Sequence, residues 1–383
     1  MYRSTYIKIN NKFLLENVKE IKKEYNNYKY YIGVVKANAY GHGYEIINDL
    51  IEGGINYFAT SSLEESLEVR KQNKSVRILC LEPINSKYLD IVINNNITLT
   101  VDSIDSANSL IKANPKEKIN IHLKLDTGMN RLGFNNREEL NEAISIIKQN
   151  KFIHIEGIFT HLATSGISDI YYDKQINKFK YLTKDIDLSK IEIVHINRSI
   201  TLVHHEKLPF ETGVRLGIIM YGFSQSIKEP TGLRKIKRDL MLKVKKISPV
   251  KLTNNLKLKT AYTLYTEVMS IKQIKKGSTI GYGTKHIAKE DCKIAILPIG
   301  YADGMTNKLK YVSINNKKYT ILGEVCMDMT IIKIDDTINL HDKVEIFGDN
   351  ISIREASRNV GTNAYHLLTS ITSRVPRIIK DNK

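Results

Sequence analysis

Eight short runs rich in β-branched and aromatic residues alternate with amphipathic stretches of helical period: Tyr31–Lys36, Tyr57–Thr60, Val76–Cys80, Ile97–Val101, Ile119–Leu125, Ile153–His161, Ile191–Asn197 and Gly213–Tyr221. Parallel strands need a long crossover between them, and a helix is its usual form, so this rhythm predicts a (β/α)8 barrel. Several runs are apolar almost throughout, as strands covered on both faces are. Beyond Tyr221 the helical period fades. The runs Thr266–Gln273, Lys293–Pro298, Tyr319–Gly323 and Lys343–Phe347 are separated by Gly, Asn and Asp turns, the pattern of a mostly β second domain. The expected fold class is therefore α/β: an N-terminal (β/α)8 TIM-type barrel in residues 1–230, then a mostly β C-terminal domain in residues 231–383. The boundary is expected in Ser224–Arg238, where Pro230 and Gly232 interrupt a charged stretch.

A chain of 383 residues can bury the core such a plan requires. The net charge of +17 raises the question of a polyanionic partner, but the lysines are spread along the chain and no nucleic-acid motif accompanies them. The densest basic run, Arg234–Lys259, alternates with apolar residues and reads as strands with lysines on their wet face. No nucleic-acid partner is expected. No apolar run approaches a membrane span, and the opening MYRSTYIKINNKF lacks an apolar core and a cleavage site, so a cytoplasmic protein without membrane association is expected. Cys80, Cys292 and Cys326 are too scattered for a metal pair or a disulfide framework and are read as reduced thiols.

In a barrel of this kind the reacting groups sit where strands end. The first strand ends in Lys36 and continues as ANAYGHG; the fifth carries Lys124 into DTGMNRLGF; the sixth ends at His161; the seventh ends at His195–Ile196–Asn197; the eighth carries Arg215 to Gly217. These groups converge on one face. A lysine beside an apolar strand is costly unless it does chemistry that removes its charge, such as condensing with a carbonyl.

VVKANAYGHG (34–43), LDTGMNRLGF (125–134), THLATS (160–165), VRLGIIMYG (214–222), IGYG (280–283), PIGYADG (298–304), CMDM (326–329) and RVPR (374–377) resemble, in order and over nearly the whole chain, the signature segments of alanine racemases. The distal GYADG and CMDM set this resemblance apart from simpler barrels that only carry the cofactor. It implies pyridoxal 5′-phosphate (PLP) as cofactor, a small amino acid as substrate with L- and D-alanine interconverted, a D-amino-acid product of the kind used in peptidoglycan, and a head-to-tail homodimer. By position, Lys36 resembles the lysine that carries PLP covalently, Tyr40 a phosphate contact, and Arg215 the arginine at the ring nitrogen. Gly217, Ile218 and Asn197 align with further cofactor contacts. Racemisation removes a proton from one face of Cα and returns it on the other, so two bases are the simplest solution. The resemblance implies Lys36 for one and Tyr282, from the partner subunit, for the other, with His161 and Arg215 linking that tyrosine to the cofactor. Arg131, Met327 and Tyr301 resemble substrate-binding residues, and Lys124 a lysine that some members carry as an N-carbamate.

The pattern is broken in three places. Where the family has Asn-Ser after the seventh strand, this chain has Asn197–Arg198–Ser199, so either Arg198 or Ser199 takes the phosphate contact. Ser373 replaces a tyrosine that contacts the phosphate and narrows the inner entry. Glu324 and Asn307 stand where arginines are usual on the substrate corridor. These changes predict a wider, differently charged pocket and point to serine or another small or polar amino acid as an alternative substrate.

Overall fold

The computed structural model describes residues 2–379 apart from 168, 224–226, 228, 246, 248 and 249. In chain order its strands are β1 (Tyr6–Ile9), β2 (Tyr30–Val34), β3 (Tyr57–Thr60), β4 (Arg77–Cys80), β5 (Ile97–Val101), β6 (Ile119–Leu125), β7 (Ile153–Thr160), β8 (Ile193–Arg198), β9 (Gly213–Leu216), β10 (Tyr262–Glu267), β11 (Ser270–Ile274), β12 (Cys292–Leu297), β13 (Tyr311–Ile314), β14 (Lys317–Leu322), β15 (Thr330–Ile334), β16 (Lys343–Phe347) and β17 (Arg377–Ile379). The chain divides into two compact units, one of Leu14–Ala37 and Tyr44–Lys259, the other of Met1–Phe13, Asn38–Gly43 and Thr260–Lys383. Residues 231–259, expected with the second domain, thus group with the barrel, and the first thirteen residues, expected with the barrel, group with the β-sheet. The expected boundary segment lies partly outside the described residues.

In the first unit β2 to β9 form a closed barrel in sequence order, and β9 returns to pair in parallel with β2, Arg215 opposite Ile32. Some of the crossover helices start on side-chain caps: Ser62 accepts from the Glu65 N–H, Ser103 from Ser106, and Asn136 from Glu138 and Glu139. Helix Arg137–Ile147 buries Leu140, Ala143 and Ile147, one face of its period. The eighth strand ends at Leu216 rather than Tyr221. The apolar run continues past that point, but Met220 N–H bonds Gly217 O at 3.0 Å and Tyr221 N–H bonds Ile218 O at 3.2 Å, turning the chain out of the ladder. The barrel interior is polar along one side: Tyr57, Thr98, His122, Glu156, His195 and Arg215 are all buried.

Among its described residues the basic run does not form strands. Leu233–Val244 is a helix with Leu242 buried and Leu233, Ile236, Leu240 and Val244 exposed. Those apolar positions recur every three or four residues, and that period prevails over the local alternation in LMLKV.

The second unit is a nine-stranded sheet in the order β11-β12-β15-β14-β13-β16-β10-β1-β17. β1 lies antiparallel to β10 and parallel to β17. Its inward residues Ile7 and Ile9 are fully buried, each such side chain stabilising by about 1.5–3 kcal/mol. The run expected as one strand, Thr266–Gln273, is two: Val268 N–H bonds Asp342 O and Met269 N–H bonds Ile296 O, so the chain leaves one neighbour for another between β10 and β11.

Candidate functional site

The carboxyl ends of β6 to β9 carry a concentrated positive field. His161 follows β7, and burial first, then the charges of Arg215, Arg198, Lys124 and Arg131, press its pKa down to about 2, so it is a neutral imidazole. Lys124, on β6, is 6% exposed. Burial, followed by Arg215 and Arg131, lowers its pKa to about 7 against the weaker pull of Asp126 and Asp102. Arg215, on β9, is lowered to about 10, chiefly by burial, and stays a cation at neutral pH. Its guanidinium donates to the carbonyls of Thr160 at 2.7 Å, His195 at 2.8 Å and Ile196 at 2.9 Å, and to Nδ1 of His195 at 2.7 Å. The loop after β6 is tied by Asp126, whose Oδ1 accepts from Gly128 N–H at 2.8 Å and Asn130 N–H at 3.0 Å, and Phe134 then returns to bond Lys124 O. This places Arg131 at the exposed tip.

Where β8 ends, the three candidates differ in their surroundings. Asn197 is buried and gives its side-chain amide to Glu211 at 2.7 Å. Arg198 is half-buried, its Nε donating to Leu162 O at 3.3 Å. Ser199 is buried and its hydroxyl accepts from Gly217 N–H at 2.9 Å, which joins the β8 and β9 turns. Gly217 and Ile218 are likewise buried.

Lys36 is half-buried immediately after β2. The residues that follow are conformationally unusual: Ala37, Asn38, Ala39 and Tyr40 hold φ of 52°, 54°, 51° and 53°, a left-handed turn without glycine. Each such residue costs about 1–2 kcal/mol. Hydrogen bonds offset this locally. Glu65 accepts from Ala37 N–H at 2.7 Å, Gly43 N–H bonds Asn38 O, and His42 Nδ1 donates to Ala39 O at 3.0 Å. Burial keeps His42 neutral, its pKa near 3. Tyr40 is buried with its ring 5.6 Å from that of Tyr365.

In the sheet unit, Tyr282, Tyr301 and Met327 are exposed at 68%, 50% and 53%, unusual for large apolar side chains. Gly281 and Gly283 flank Tyr282 with φ of 75° and 73°, a conformation that other residues resist, so the Gly-Tyr-Gly context shapes this turn. Tyr301 N–H bonds Cys326 O and Ala302 N–H bonds Met327 O, both at 3.0 Å, which brings the GYADG and CMDM segments together. Asp303 anchors the turn: its fully buried carboxylate takes a two-pronged bond from Arg3 at 2.6 and 2.7 Å and another from Gly300 N–H at 3.0 Å. Ser373 is exposed beside it, since Thr372 N–H bonds Asp303 O and the Thr372 hydroxyl bonds Ala302 O. Glu324 is exposed and pairs with Lys285 at 3.4 Å; Asn307 is exposed.

The structure thus groups the rim residues in one unit and Tyr282, Tyr301, Met327 and Ser373 in the other. It adds residues that sequence reasoning missed, namely Glu65 and His42, which hold the left-handed turn, and Glu211, which organises the end of β8. None lies in a signature segment except His42, and the only signal was the presence of ionisable residues among apolar ones.

The model of the alanine racemase N-terminal domain matches residues 9–225, and that of the alanine racemase C-terminal domain matches residues 261–379. Alanine racemase 1 of Bacillus subtilis is 31% identical over 389 residues, covering 100% of this chain and 94% of the relative. The crystal structure of the alanine racemase of Bacillus anthracis with bound L-Ala-P superposes with a TM-score of 0.85 at 30% identity, covering 100% and 96% of the two chains. A histidine racemase of Leuconostoc mesenteroides subsp. sake has the same fold, with a TM-score of 0.83 at 25% identity and 99% coverage of both chains. Matched along its length in both halves and in the order of its elements, the chain belongs to the alanine racemase family and is an amino-acid racemase.

Proposed function

We propose that this protein interconverts L- and D-alanine with PLP as cofactor and Lys36 and Tyr282 as its two bases. The observation that carries the reading is the field at His161, where Arg215, Arg198, Lys124 and Arg131 all act as positive neighbours. A rim whose cations outweigh Asp126 and Asp102 fits a doubly anionic guest, a phosphate together with an amino-acid carboxylate. When bound, PLP supplies an electron sink that acidifies the α-proton. Lys36, just beyond the first strand of the barrel, carries the group and serves as one base. Tyr40 and Arg198 or Ser199 hold its phosphate, Asn197, Gly217 and Ile218 give further cofactor contacts, and Ser373 takes the place of a tyrosine that would contact the phosphate. Arg215 meets the ring nitrogen; because a guanidinium does not release its proton, that nitrogen stays unprotonated. Arg131, Met327 and Tyr301 orient the substrate carboxylate, and His161 and Arg215 link the second base electrostatically to the cofactor.

Tyr282 is 68% exposed, as a side chain reserved for another subunit would be, which supports a head-to-tail homodimer in which each sheet unit completes its partner's site. The domain plan, a PLP barrel and a β domain serving the partner, follows from the same reading. A cytoplasmic enzyme supplying D-alanine for peptidoglycan fits it too; no helix among the described residues is long and apolar enough to cross a membrane.

A second reading, racemisation of serine or another polar amino acid, is favoured by Ser373, Glu324 and Asn307 and by the likeness to a histidine racemase. Incubating the purified protein with PLP and single L-amino acids, then resolving the products by chiral chromatography, tests both. D-alanine as the main product supports the first reading, a larger yield of D-serine or D-histidine the second, and no enantiomer from any of them overturns both.

A further inference from the structure

Among the described residues no carboxylate is hydrogen-bonded to Arg215, yet a line of buried side chains connects it to one. His195 Nδ1 lies 2.7 Å from Arg215 Nη1, His195 Nε2 lies 2.9 Å from His122 Nδ1, and His122 Nε2 lies 3.1 Å from Glu156 Oε2. All four side chains are at most 4% exposed and stand on β9, β8, β6 and β7 of the barrel. Two facts fix the protons. A guanidinium only donates and a carboxylate only accepts. His195 must therefore accept at Nδ1 and carry its proton on Nε2; that proton goes to His122 Nδ1, so His122 carries its own on Nε2 and gives it to Glu156. If either histidine were protonated or flipped, an N–H would face another N–H.

We propose that Glu156, acting through His122 and His195, is a positioning residue for Arg215: its carboxylate holds the direction of every hydrogen bond in the chain from one end, as the guanidinium does from the other, and so fixes the guanidinium at the rim. The cofactor role of Arg215 rests on the function proposed above; the direction of the chain does not. The arrangement answers an electrostatic problem. A carboxylate directly on Arg215 would compete with the ring nitrogen for its donors, whereas one placed three hydrogen bonds away offsets part of the charge and leaves Nε–H, the donor that the bonds to His195, Thr160 and Ile196 do not use, for its ligand.

The surroundings agree. Burial first, then Arg215, His122 and Lys124, holds His195 below its ordinary pKa, and burial outweighs the pull of Glu156 and Glu192 to hold His122 below its own, so both rings are neutral. Burial pushes the Glu156 carboxyl up, but His122, Tyr57 and Arg77 outweigh it and bring the pKa to about 2. The Tyr57 hydroxyl is 2.6 Å and the Thr98 hydroxyl 3.3 Å from Glu156 Oε2, and Arg77 is 3.4 Å from Oε1. At the other end Glu211 raises, and Arg198 lowers, the pKa of Arg215.

The test is nitrogen-15 NMR of the full chain labelled at its histidines, with and without PLP, from about pH 5 to 9. In the wild type, His122 and His195 are expected as Nε2–H tautomers that do not titrate. In Glu156→Gln, whose amide can turn either its oxygen or its NH2 toward His122 and so no longer fixes that end, both rings should move toward mixed tautomers, and kcat/KM for racemisation should fall about tenfold, as when an outer partner of a bound group is lost. Thr98→Val removes a hydrogen bond from the same carboxylate without entering the chain and should leave the His195 signals in place. An Nδ1–H tautomer or a titrating ring at His195 in the wild type overturns the proposal, whether or not Glu156→Gln folds. So does a Glu156→Gln protein with unchanged His195 signals, or one whose tautomers shift while racemisation does not. Wild-type tautomers as expected in a protein without racemase activity would instead refute the function and leave the chain's direction standing.

Discussion

The ammonium of Lys124 lies 4.8 Å from the centroid of the Phe159 ring, the flanking strands β6 and β7 placing a buried amine over an aromatic face beneath the rim. Its pKa of about 7, set mainly by burial with Arg215 and Arg131 adding to it, makes a large share of the amine neutral and nucleophilic at physiological pH. A neutral amine can add to carbon dioxide, releasing a proton and leaving a carbamate whose negative charge would suit the two arginines. Intact-protein mass spectrometry under bicarbonate should show one labile adduct, absent in Lys124→Ala; no difference between the two proteins would refute it.

The same shift predicts a pH dependence of stability. The folded-state pKa lies below the unfolded one of about 10.4, so between pH 7 and 10 the unfolded chain binds more protons and stability through this group rises with pH. Lys124→Met removes that dependence and should raise stability at pH 6, where the burial cost of the charge is fully present. Urea melts of both proteins at pH 6 and 9 check the sign, provided no bicarbonate is present.

Lys36→Ala should abolish racemisation in both directions, since the group that carries PLP and one of the bases are lost together. The visible absorbance of covalently held PLP should vanish as well. A mutant that keeps this absorbance would show that another lysine carries the cofactor.

Tyr282→Phe should slow removal of the α-proton from one enantiomer, the L form, more than from the other. Solvent-deuterium wash-in measured separately from L- and D-alanine reads each direction. Mixing this variant with Lys36→Ala should restore part of the activity, because one site of the mixed dimer has both bases intact. No recovery after demonstrated subunit exchange would place both bases in a single chain.

Ser373→Tyr should lower the serine-to-alanine ratio of kcat/KM and tighten PLP binding. Ser373 is exposed beside the Tyr301–Asp303 turn, where a phenol ring would occupy space that a polar side chain can now enter. Discrimination by one such group is about 1–3 kcal/mol, so a shifted ratio rather than exclusion is expected. An unchanged ratio would move attention to Glu324 and Asn307.

The sequence by itself determined the eight-stranded barrel, because strands buried on both faces must be apolar and their helical crossovers must be amphipathic, and both periods are local. It also determined the signature segments, since a motif such as IGYG or GYADG meets its backbone demands within a few residues. It misread Arg234–Lys259, where strand and helix periods overlap, and it ended the eighth strand too late, because hydrophobicity does not mark where a ladder stops. Only the tertiary structure decided that β1 belongs to the sheet at the far end of the sequence, that Glu65 and His42 hold the left-handed turn after Lys36, and that His122, His195 and Glu156 join Arg215 in one line. Those partners are separated by up to hundreds of residues. A lone histidine or glutamate in an apolar strand carries no sign of its partner, and its meaning appears only when barrel closure brings β6, β7, β8 and β9 side by side in a space where every buried proton must find an acceptor.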